Sequence, residues 1–153
     1  MAEKFQFELV SPERLLLSEP VDIVVVPGGD GNFGVLAGHS LLISTVRPGV
    51  IDVYEGQAVT QRIFVAGGFA EVTPERCTVL ADEAVPVEDL EVAGVEMELR
   101  DLEAASANLR DQLGCTVAGA PEHDAAAAEL RNVERRLAAA NAKLDAARGA
   151  TTH

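Results

Sequence analysis

The sequence predicts a β-sandwich or flattened barrel followed by an antiparallel hairpin of two α-helices. Three observations predict this fold. Short segments rich in β-branched residues recur between turn residues as far as Pro86. After Pro86 glycine becomes rare, and alanine, leucine and acidic residues dominate. In that second part apolar residues repeat at intervals of three and four, which is typical of paired helices. The change in composition predicts two domains, a β domain over 1–87 and a helical hairpin over 88–153.

The β domain begins with a half-buried strand over 5–9, where apolar and polar side chains alternate. A short strand starts at Leu15, and the β-branched run 21–26 predicts another strand that stops at Pro27. Glu55-Gly56 is typical of a hairpin turn. Later strands are predicted at 41–46, 50–54, 58–65, 69–72 and 77–80.

The stretch from Val26 to Gly49 organises this scaffold: its glycine-rich part, Val26 to Ser40, is expected to form an exposed pair of loops, followed by an apolar strand to Pro48-Gly49. It holds five glycines within eleven residues, which lets the backbone reverse tightly. A phosphate-binding P-loop needs a lysine followed by serine or threonine and then a helix. This stretch lacks lysine and leads into a strand, so it favours a β-turn over a phosphate site.

The helical part predicts two heptad stripes joined by a short loop. Asp89 is the expected N-cap of the first helix, Gly114 its expected C-cap, and Pro121 lies near the start of the second. The stripe residues are Val92, Val95, Leu99, Leu102, Ser106, Leu109 and Leu113, then Leu130, Val133, Leu137, Ala140, Leu144 and Ala147.

Composition excludes several classes of function. The net charge of −13 argues against nucleic-acid binding and against electrostatic binding to anionic lipid. No apolar run reaches the roughly 20 residues that span a bilayer, and the first residues do not resemble a signal peptide. The two cysteines form no framework, which favours a reducing, cytoplasmic setting. Cys77 fits a small core residue, and Cys115 lies in the predicted loop between the helices.

No catalytic or metal-binding constellation stands out, and no cofactor is expected. His39 has no second histidine at metal-ligand spacing, so a loop hydrogen bond or a partner contact is favoured over a metal site or a catalytic base. Asp30 and Asn32 lack the other ligands of a calcium loop. An enzyme that uses His39 with Asp30 stays open as a third reading, although no nucleophile accompanies them.

The hairpin carries an uneven charge. Its first helix, with the residues before it from Glu88 to Asp111, has eight acids against two arginines, whereas the second helix is balanced. One explanation of this charge distribution is that the outer faces of both helices are solvated. The alternative is that the helix pair leaves its own domain and docks elsewhere. Alanine-rich stripes bury little apolar area, so the hairpin is expected to hold its neighbour weakly.

An ordered set of motifs over residues 5–90 resembles the epsilon subunit of F-type ATP synthases. In order along the chain the motifs are Val10-Ser11-Pro12-Glu13, Pro27-Gly28, Gly31-Asn32-Phe33-Gly34-Val35-Leu36, Gly38-His39, Pro48-Gly49, Val65-Ala66-Gly67-Gly68-Phe69-Ala70-Glu71-Val72 and Thr78-Val79-Leu80-Ala81-Asp82. Over 91–153 only the architecture is similar.

The resemblance implies a ten-stranded β-sandwich with a helical hairpin and a role without catalysis. It implies a central-stalk subunit that binds the gamma subunit and the ring of c subunits, so that proton-driven rotation reaches the catalytic head. It implies that Asp30, Gly31, Asn32 and Phe33 face the c ring and that His39 lies near gamma. The resulting location is the cytoplasmic face of the bacterial inner membrane, reached only through the complex.

Departures from the family pattern bear on regulation. Ala37 and Leu41 stand where the family usually or often has proline. Some members bind ATP on the hairpin through a motif beginning Ile/Leu-Asp-x-x-Arg-Ala, and this chain has Leu90-Glu91-Val92-Ala93-Gly94-Val95. Inhibition in the family involves an extended hairpin that reaches acidic surfaces of the alpha and beta catalytic subunits, which would repel this acidic first helix. We therefore expect at most weak inhibition by the hairpin. The alternative is an ATP-sensing inhibitory subunit whose hairpin folds on nucleotide.

Overall fold

Ten strands form a single curled sheet, and two long helices follow it. The structure, a computed structural model, describes residues 3–151, so the outermost residues of both predicted domains lie outside it. The strands are β1 Phe5–Val10, β2 Leu15–Val21, β3 Ile23–Gly28, β4 Gly31–Val35, β5 Leu42–Val46, β6 Gly49–Glu55, β7 Ala58–Val65, β8 Gly68–Val72, β9 Arg76–Ala81 and β10 Ala84–Pro86. A 3₁₀ turn over Val87–Asp89 leads to the helices α1 Val92–Cys115 and α2 Pro121–Thr151.

The sheet runs in the order β10-β7-β6-β3-β5-β8-β9-β1-β2, and β4 pairs with β3 beside this path. Every pair is antiparallel except β1 with β9. Gln61 on β7 hydrogen-bonds Glu19 on β2, a contact between the two ends of the curled sheet. The predicted β-sandwich followed by two helices is therefore confirmed.

One apolar core fills the interior of the sheet. Alternate residues of each strand point into it, as the burial of Phe5, Phe7 and Leu9 on β1 illustrates. The core also contains Val21, Val24, Val26, Val35, Val46, Ile51, Val53, Ile63, Val65, Ala70, Val72, Cys77, Val79 and Ala81. Cys77 is completely buried, as its position in a strand pattern predicts.

Several local predictions were wrong. The run 21–26 is two strands, because β2 ends at Val21 and β3 starts at Ile23 and continues through Pro27 to Gly28. The stretch expected to be loops contains β4, since Gly31–Val35 pairs with β3 along its whole length. The turn after β6 consists of Gly56 and Gln57, between the paired Glu55 and Ala58.

The helical hairpin has its own small core. Leu102 and Leu109 of α1 pack against Val133 and Ala140 of α2, as the two stripes predict, and Ala126, outside the predicted stripes, joins the same cluster. Pro121 begins α2, also as predicted.

The predicted helix caps were wrong. Asp89 belongs to the 3₁₀ turn, and Glu91 is the N-cap of α1 without a side-chain capping bond. Gly114 lies inside α1, which ends at Cys115 with Thr116 as its C-cap. The domain boundary between residues 87 and 88 stays a prediction, because this turn contacts both β7 and α2.

The buried Cys77 thiol makes stability depend on pH. Burial raises its pKa from 9.0 to about 12 by desolvating the thiolate. Between those values the unfolded chain loses the thiol proton while the folded chain keeps it. We expect this group to lower the free energy of unfolding by up to about 1.4 kcal/mol per pH unit as the pH rises.

Chemical denaturation at a series of pH values above 8 measures this slope. The Cys77→Ala variant should show a shallower decline than the wild-type chain, and Cys115→Ser, a change at an exposed thiol, should keep the wild-type slope. Equal slopes for the wild-type chain and Cys77→Ala would contradict the expectation.

Candidate partner-binding site

The glycine-rich stretch forms a tight hairpin between β3 and β4. Gly28 pairs with Gly31, so Gly29 and Asp30 alone make the tip. Gly31 has a φ of 138°, a conformation that L side chains rarely adopt. The N–H of Gly29 donates to the carbonyl of Thr45 over 2.9 Å, which ties the tip to the end of β5.

The four residues that the resemblance assigns to the c ring lie on this hairpin, but they are not equivalent. Asp30, Gly31 and Asn32 are exposed at or beside the tip. Phe33 is half-buried, packs against the sandwich core, and approaches Gly28 so closely that a Cβ there would lie 2.9 Å from its ring. Phe33 therefore anchors the hairpin as well as contributing to its surface.

Arg47 holds the two arms of this hairpin together. Its guanidinium donates to the carbonyl of Gly28 on β3 and to Oδ1 of Asn32 on β4, each over 2.6 Å. Its backbone N–H also donates to the carbonyl of Pro27 over 2.9 Å. Sequence reasoning missed this residue, because nothing in the pattern shows that β5 ends beside the β3–β4 hairpin.

His39, the residue assigned to gamma, lies at the other end of β5 from this tip. It is half-buried in the connection between β4 and β5, and its Nδ1 lies 2.7 Å from the carbonyl oxygen of Ser40. Gly38 beside it donates to the carbonyl of Pro74 over 2.8 Å. A five-residue strand spans about 17 Å, so the structure does not bring His39 and Asp30 together as an enzyme based on that pair would require.

An apolar row crosses the outer face of the sheet on the side of β5. Register partners place Leu15 of β2, Val10 of β1, Leu80 of β9 and Phe69 of β8 side by side. Phe69 and Leu80 are 58% and 53% exposed, and Ile43 in the neighbouring row is 78% exposed. Exposed apolar side chains that form one continuous row are typical of a protein-binding surface.

The hairpin covers the opposite outer face of the sandwich. Phe64 on β7 points away from the core, yet it is completely buried, and α2 packs against β6 and the 3₁₀ turn. One outer face is thus covered by the protein's own helix, while the other remains uncovered.

Lys143 closes the contact between hairpin and sandwich. It is only 7% exposed, and its Nζ lies 3.0 Å from a carboxylate oxygen of Glu83 in the turn after β9. It lies 3.4 Å from a carboxylate oxygen of Glu98 on α1 and 5.7 Å from the centre of the Phe64 ring. A single ammonium group therefore joins α2, α1 and the sheet. The prediction that the alanine-rich hairpin binds the sandwich weakly did not include this contact, because the partners are far apart in sequence.

Two further ion pairs join the helices to each other. Arg148 lies 3.3 Å from Glu96, and Arg110 lies 3.4 Å from Glu134. Both pairs are solvent-exposed, so each contributes little stability compared with the nearly buried Lys143.

Residues 3–151 contain no group of three or more histidine, cysteine, aspartate or glutamate side chains placed to hold a metal ion. Neither helix is long and apolar enough to cross a membrane, over the part of the chain that the structure describes.

Comparisons with known proteins agree on one family. Residues 4–87 match the family model described as "ATP synthase, Delta/Epsilon chain, beta-sandwich domain". The ATP synthase epsilon chain of Rhodospirillum centenum is 50% identical over 147 residues, which cover 95% of this chain and 92% of that relative. The epsilon chain of Rhodospirillum rubrum is 63% identical over 100 residues, 65% of this chain and 75% of that relative.

A solved structure has a similar fold. A chain in the Euglena gracilis mitochondrial ATP synthase, in a structure described as "OSCP/F1/c-ring in rotational state 1", matches with a TM-score of 0.69 and 21% identity. The match covers 100% of this chain and 84% of that chain. At this identity the likeness shows the fold alone.

The Lys143 contact makes a testable prediction about stability. Lys143→Met keeps an apolar stem but removes the ammonium group from both carboxylates. Because Glu83 and Glu98 are about half exposed and stay hydrated, we expect a loss of about 1–2 kcal/mol in the free energy of unfolding. Amide hydrogen exchange in the second half of α2 should also become faster.

Arg110→Met is the matched control, because it removes a cation from an exposed pair. It should change stability by less than about 0.5 kcal/mol. If the two variants lost equal stability, Lys143 would be an ordinary surface cation.

Proposed function

The chain belongs to the epsilon-chain family of F-type ATP synthases, and on that premise we propose that it is a non-catalytic rotor subunit of the central stalk. In this role it binds the gamma subunit and the c ring, and it couples the rotation of the ring to the catalytic head. Its sandwich transmits force through contacts and performs no reaction. The complex holds it as a peripheral protein on the cytoplasmic face of the bacterial inner membrane.

The observation that carries this proposal is the uncovered apolar row on the outer face of the sheet. Leu15, Leu80 and Phe69 expose more than half of their surface on adjacent or nearby strands, whereas the other outer face is covered by α2. Burial of one such side chain contributes about 1.5–3 kcal/mol to association. We assign this face to gamma. The row reaches β5 at Thr45, the register partner of Phe69, whereas His39 lies beyond the other end of β5 and marks the far limit of the proposed gamma contact.

The tip of the β3–β4 hairpin is the proposed contact with the c ring. Asp30, Gly31 and Asn32 are exposed there, and Phe33 and Arg47 fix the arms that carry them. The tip and His39 lie at opposite ends of β5. The apolar row reaches β5 at Thr45, whose carbonyl accepts from Gly29 of the tip, so the proposed gamma and c-ring contacts adjoin at this end of β5.

Gamma binding can be tested at Phe69. The Phe69→Asp variant removes the largest exposed side chain of the row and places a charge there, while the core face of β8 is unchanged. We expect the affinity for gamma to fall at least about tenfold, because the variant no longer buries an aromatic side chain against gamma. Titration of purified gamma measures this affinity.

Met97→Asp is the matched control, since Met97 is 65% exposed but lies on α1. It should bind gamma like the wild-type chain. Undiminished binding by Phe69→Asp, with its fold verified by circular dichroism, would move the gamma contact to another face.

We further propose that the hairpin inhibits ATP hydrolysis weakly or not at all. The segment 88–111 carries eight acids, which acidic surfaces of the alpha and beta subunits would repel. Lys143 adds a second reason, because extension of the hairpin would break its contacts with Glu83 and Phe64. The hairpin is therefore expected to stay on the sandwich during rotation.

Deletion of residues 91–153 tests this proposal in the assembled enzyme. ATP hydrolysis should remain at the level of the complete enzyme, because a hairpin that does not reach the catalytic subunits cannot slow them. Since the deletion uncovers Phe64, co-purification of the truncated chain with gamma is the necessary control. A several-fold rise in hydrolysis would show that the hairpin inhibits.

The alternative function is an ATP sensor in which the hairpin folds on nucleotide. A cleft of about 330 Å³ lies between hairpin and sandwich, with Arg135, Arg136 and Lys143 among its lining residues. Asp82, Glu83 and Glu98 line the same cleft and oppose a polyphosphate. The stretch Leu90–Val95 also lacks the arginine suited to bidentate phosphate contact. Equilibrium binding of ATP distinguishes the two functions, since micromolar affinity would favour the sensor.

A further inference from the structure

We propose that Arg47 is a positioning residue that sets the orientation of the Asn32 side-chain amide. In that orientation the β3–β4 hairpin offers N–H donors to a partner group that accepts hydrogen bonds. This inference rests on the proposed function, which takes the hairpin tip as the contact with the c ring. It adds the chemistry by which the tip would recognise its partner.

The geometry ties Arg47 to both arms of the hairpin. Gly28 lies on β3 directly before the two-residue tip, and Asn32 lies on β4 one residue beyond Gly31, the partner of Gly28. Each accepts a hydrogen bond of 2.6 Å from the same guanidinium. The bond from the Arg47 backbone to Pro27 fixes the base of the side chain. Arg47 therefore lies at the neck of the hairpin, just below the tip.

The partners of Arg47 indicate that it fixes the geometry of the hairpin and does not pair with an opposite charge. Within residues 3–151 it forms no ion pair, and its side chain bonds only to a carbonyl and an amide oxygen. A planar guanidinium can hold two oxygens at fixed positions at once, whereas a lysine ammonium acts as a point charge. The side chain is thus suited to fixing the distance between the arms.

The chemistry of the two groups determines which way the amide faces. A guanidinium has donors and no acceptor, whereas an asparagine amide has an oxygen acceptor at one end and two N–H donors at the other. Only Oδ1 of Asn32 can face Arg47, so Nδ2 must face away. In the described part of the chain Nδ2 has no hydrogen-bond acceptor, and Asn32 is exposed.

The proposed partner group follows from these free donors. A carbonyl or carboxylate oxygen on the facing surface of the c ring would accept from Nδ2, whereas a cationic group would be disfavoured. Asp30 beside it on the tip presents only acceptors when ionised. Donor and acceptor groups at neighbouring positions give the tip a defined polar pattern.

The Asn32→Asp variant tests the donor role. The aspartate keeps an oxygen toward Arg47 and replaces Nδ2 by a second oxygen, so the neck of the hairpin is preserved while the donors are lost. The chain is assembled with gamma, and its affinity for the purified c ring is measured. We expect affinity to fall about tenfold or more, because a partner acceptor would then face an acceptor.

Asn141→Asp is the control for the added negative charge, since Asn141 is exposed on α2. It should bind the c ring like the wild-type chain. Equal binding by Asn32→Asp and the wild-type chain would overturn the donor role.

Arg47→Met tests the positioning role in the full-length chain without any partner. Loss of the guanidinium should shift and broaden the ¹⁵N–¹H resonances of the Asn32 side-chain amide, and Arg47→Lys should restore them only in part. Arg62→Met, which removes the cation paired with Asp52, should leave them unchanged. Unchanged Asn32 resonances in Arg47→Met would overturn the positioning role.

The two parts of the test separate this inference from the proposed function. If the wild-type chain with gamma failed to bind the c ring, the proposed function would fail, and the assignment of a partner acceptor would fail with it. The amide resonances would still decide whether Arg47 positions Asn32.

Discussion

The packing of α2 on the outer face of β6 and β7, closed by Lys143, determines which surfaces this protein can offer to others. Because the sheet curls into a sandwich, one of its surfaces encloses the core, and the other forms the two outer faces of the sandwich. Apolar side chains occur on both outer faces. The helix covers Phe64 on one of them and brings the nearly buried ammonium of Lys143 between two carboxylates. Separation of the hairpin from the sandwich would break the contacts of that ammonium with Glu83 and Phe64, whereas Glu98 belongs to the hairpin and would stay paired. The apolar row through Phe69 and Leu80 is then the outer face that remains for a partner.

The sequence allowed prediction of the fold, because local patterns carry most of it. Alternation in β1 and the heptad stripes of the helices depend on neighbouring residues, and both were read correctly. The stretch 26–40 was misread as loops, since Gly31 and Gly34 interrupt the period of two in β4, where Phe33 and Val35 are the apolar side chains. Asp89 was misplaced as a cap, because a short 3₁₀ turn begins with residues of the same chemistry as a helix start.

The site was less predictable than the fold. The resemblance directed attention to Asp30–Phe33 and to His39, but nothing in the pattern pointed to Arg47 or Lys143. Each of these cations acts across a long separation in sequence, 15 residues from Arg47 to Asn32 and 60 from Lys143 to Glu83. Spacing along one chain cannot show which strands and helices become neighbours, so contacts of this kind require the topology.

These contacts describe a protein whose function depends on shape and rigidity. The exposed apolar row and the polar hairpin tip offer different chemistry at adjoining places, and the common core beneath them fixes their relative position. The acidic first helix and the Lys143 contact both favour a hairpin that stays in place. The central claim is therefore mechanical: the protein turns as part of the rotor.

Rotation of the protein itself tests this claim most directly. Cys115 is exposed at the end of α1, while Cys77 is completely buried and burial raises the pKa of its thiol to about 12, so a thiol-reactive probe can be attached at Cys115 alone. With the catalytic head of the assembled enzyme fixed to a surface, the account predicts that a probe on Cys115 rotates while ATP is hydrolysed. A probe that stays still in complexes that hydrolyse ATP and turn gamma would contradict it.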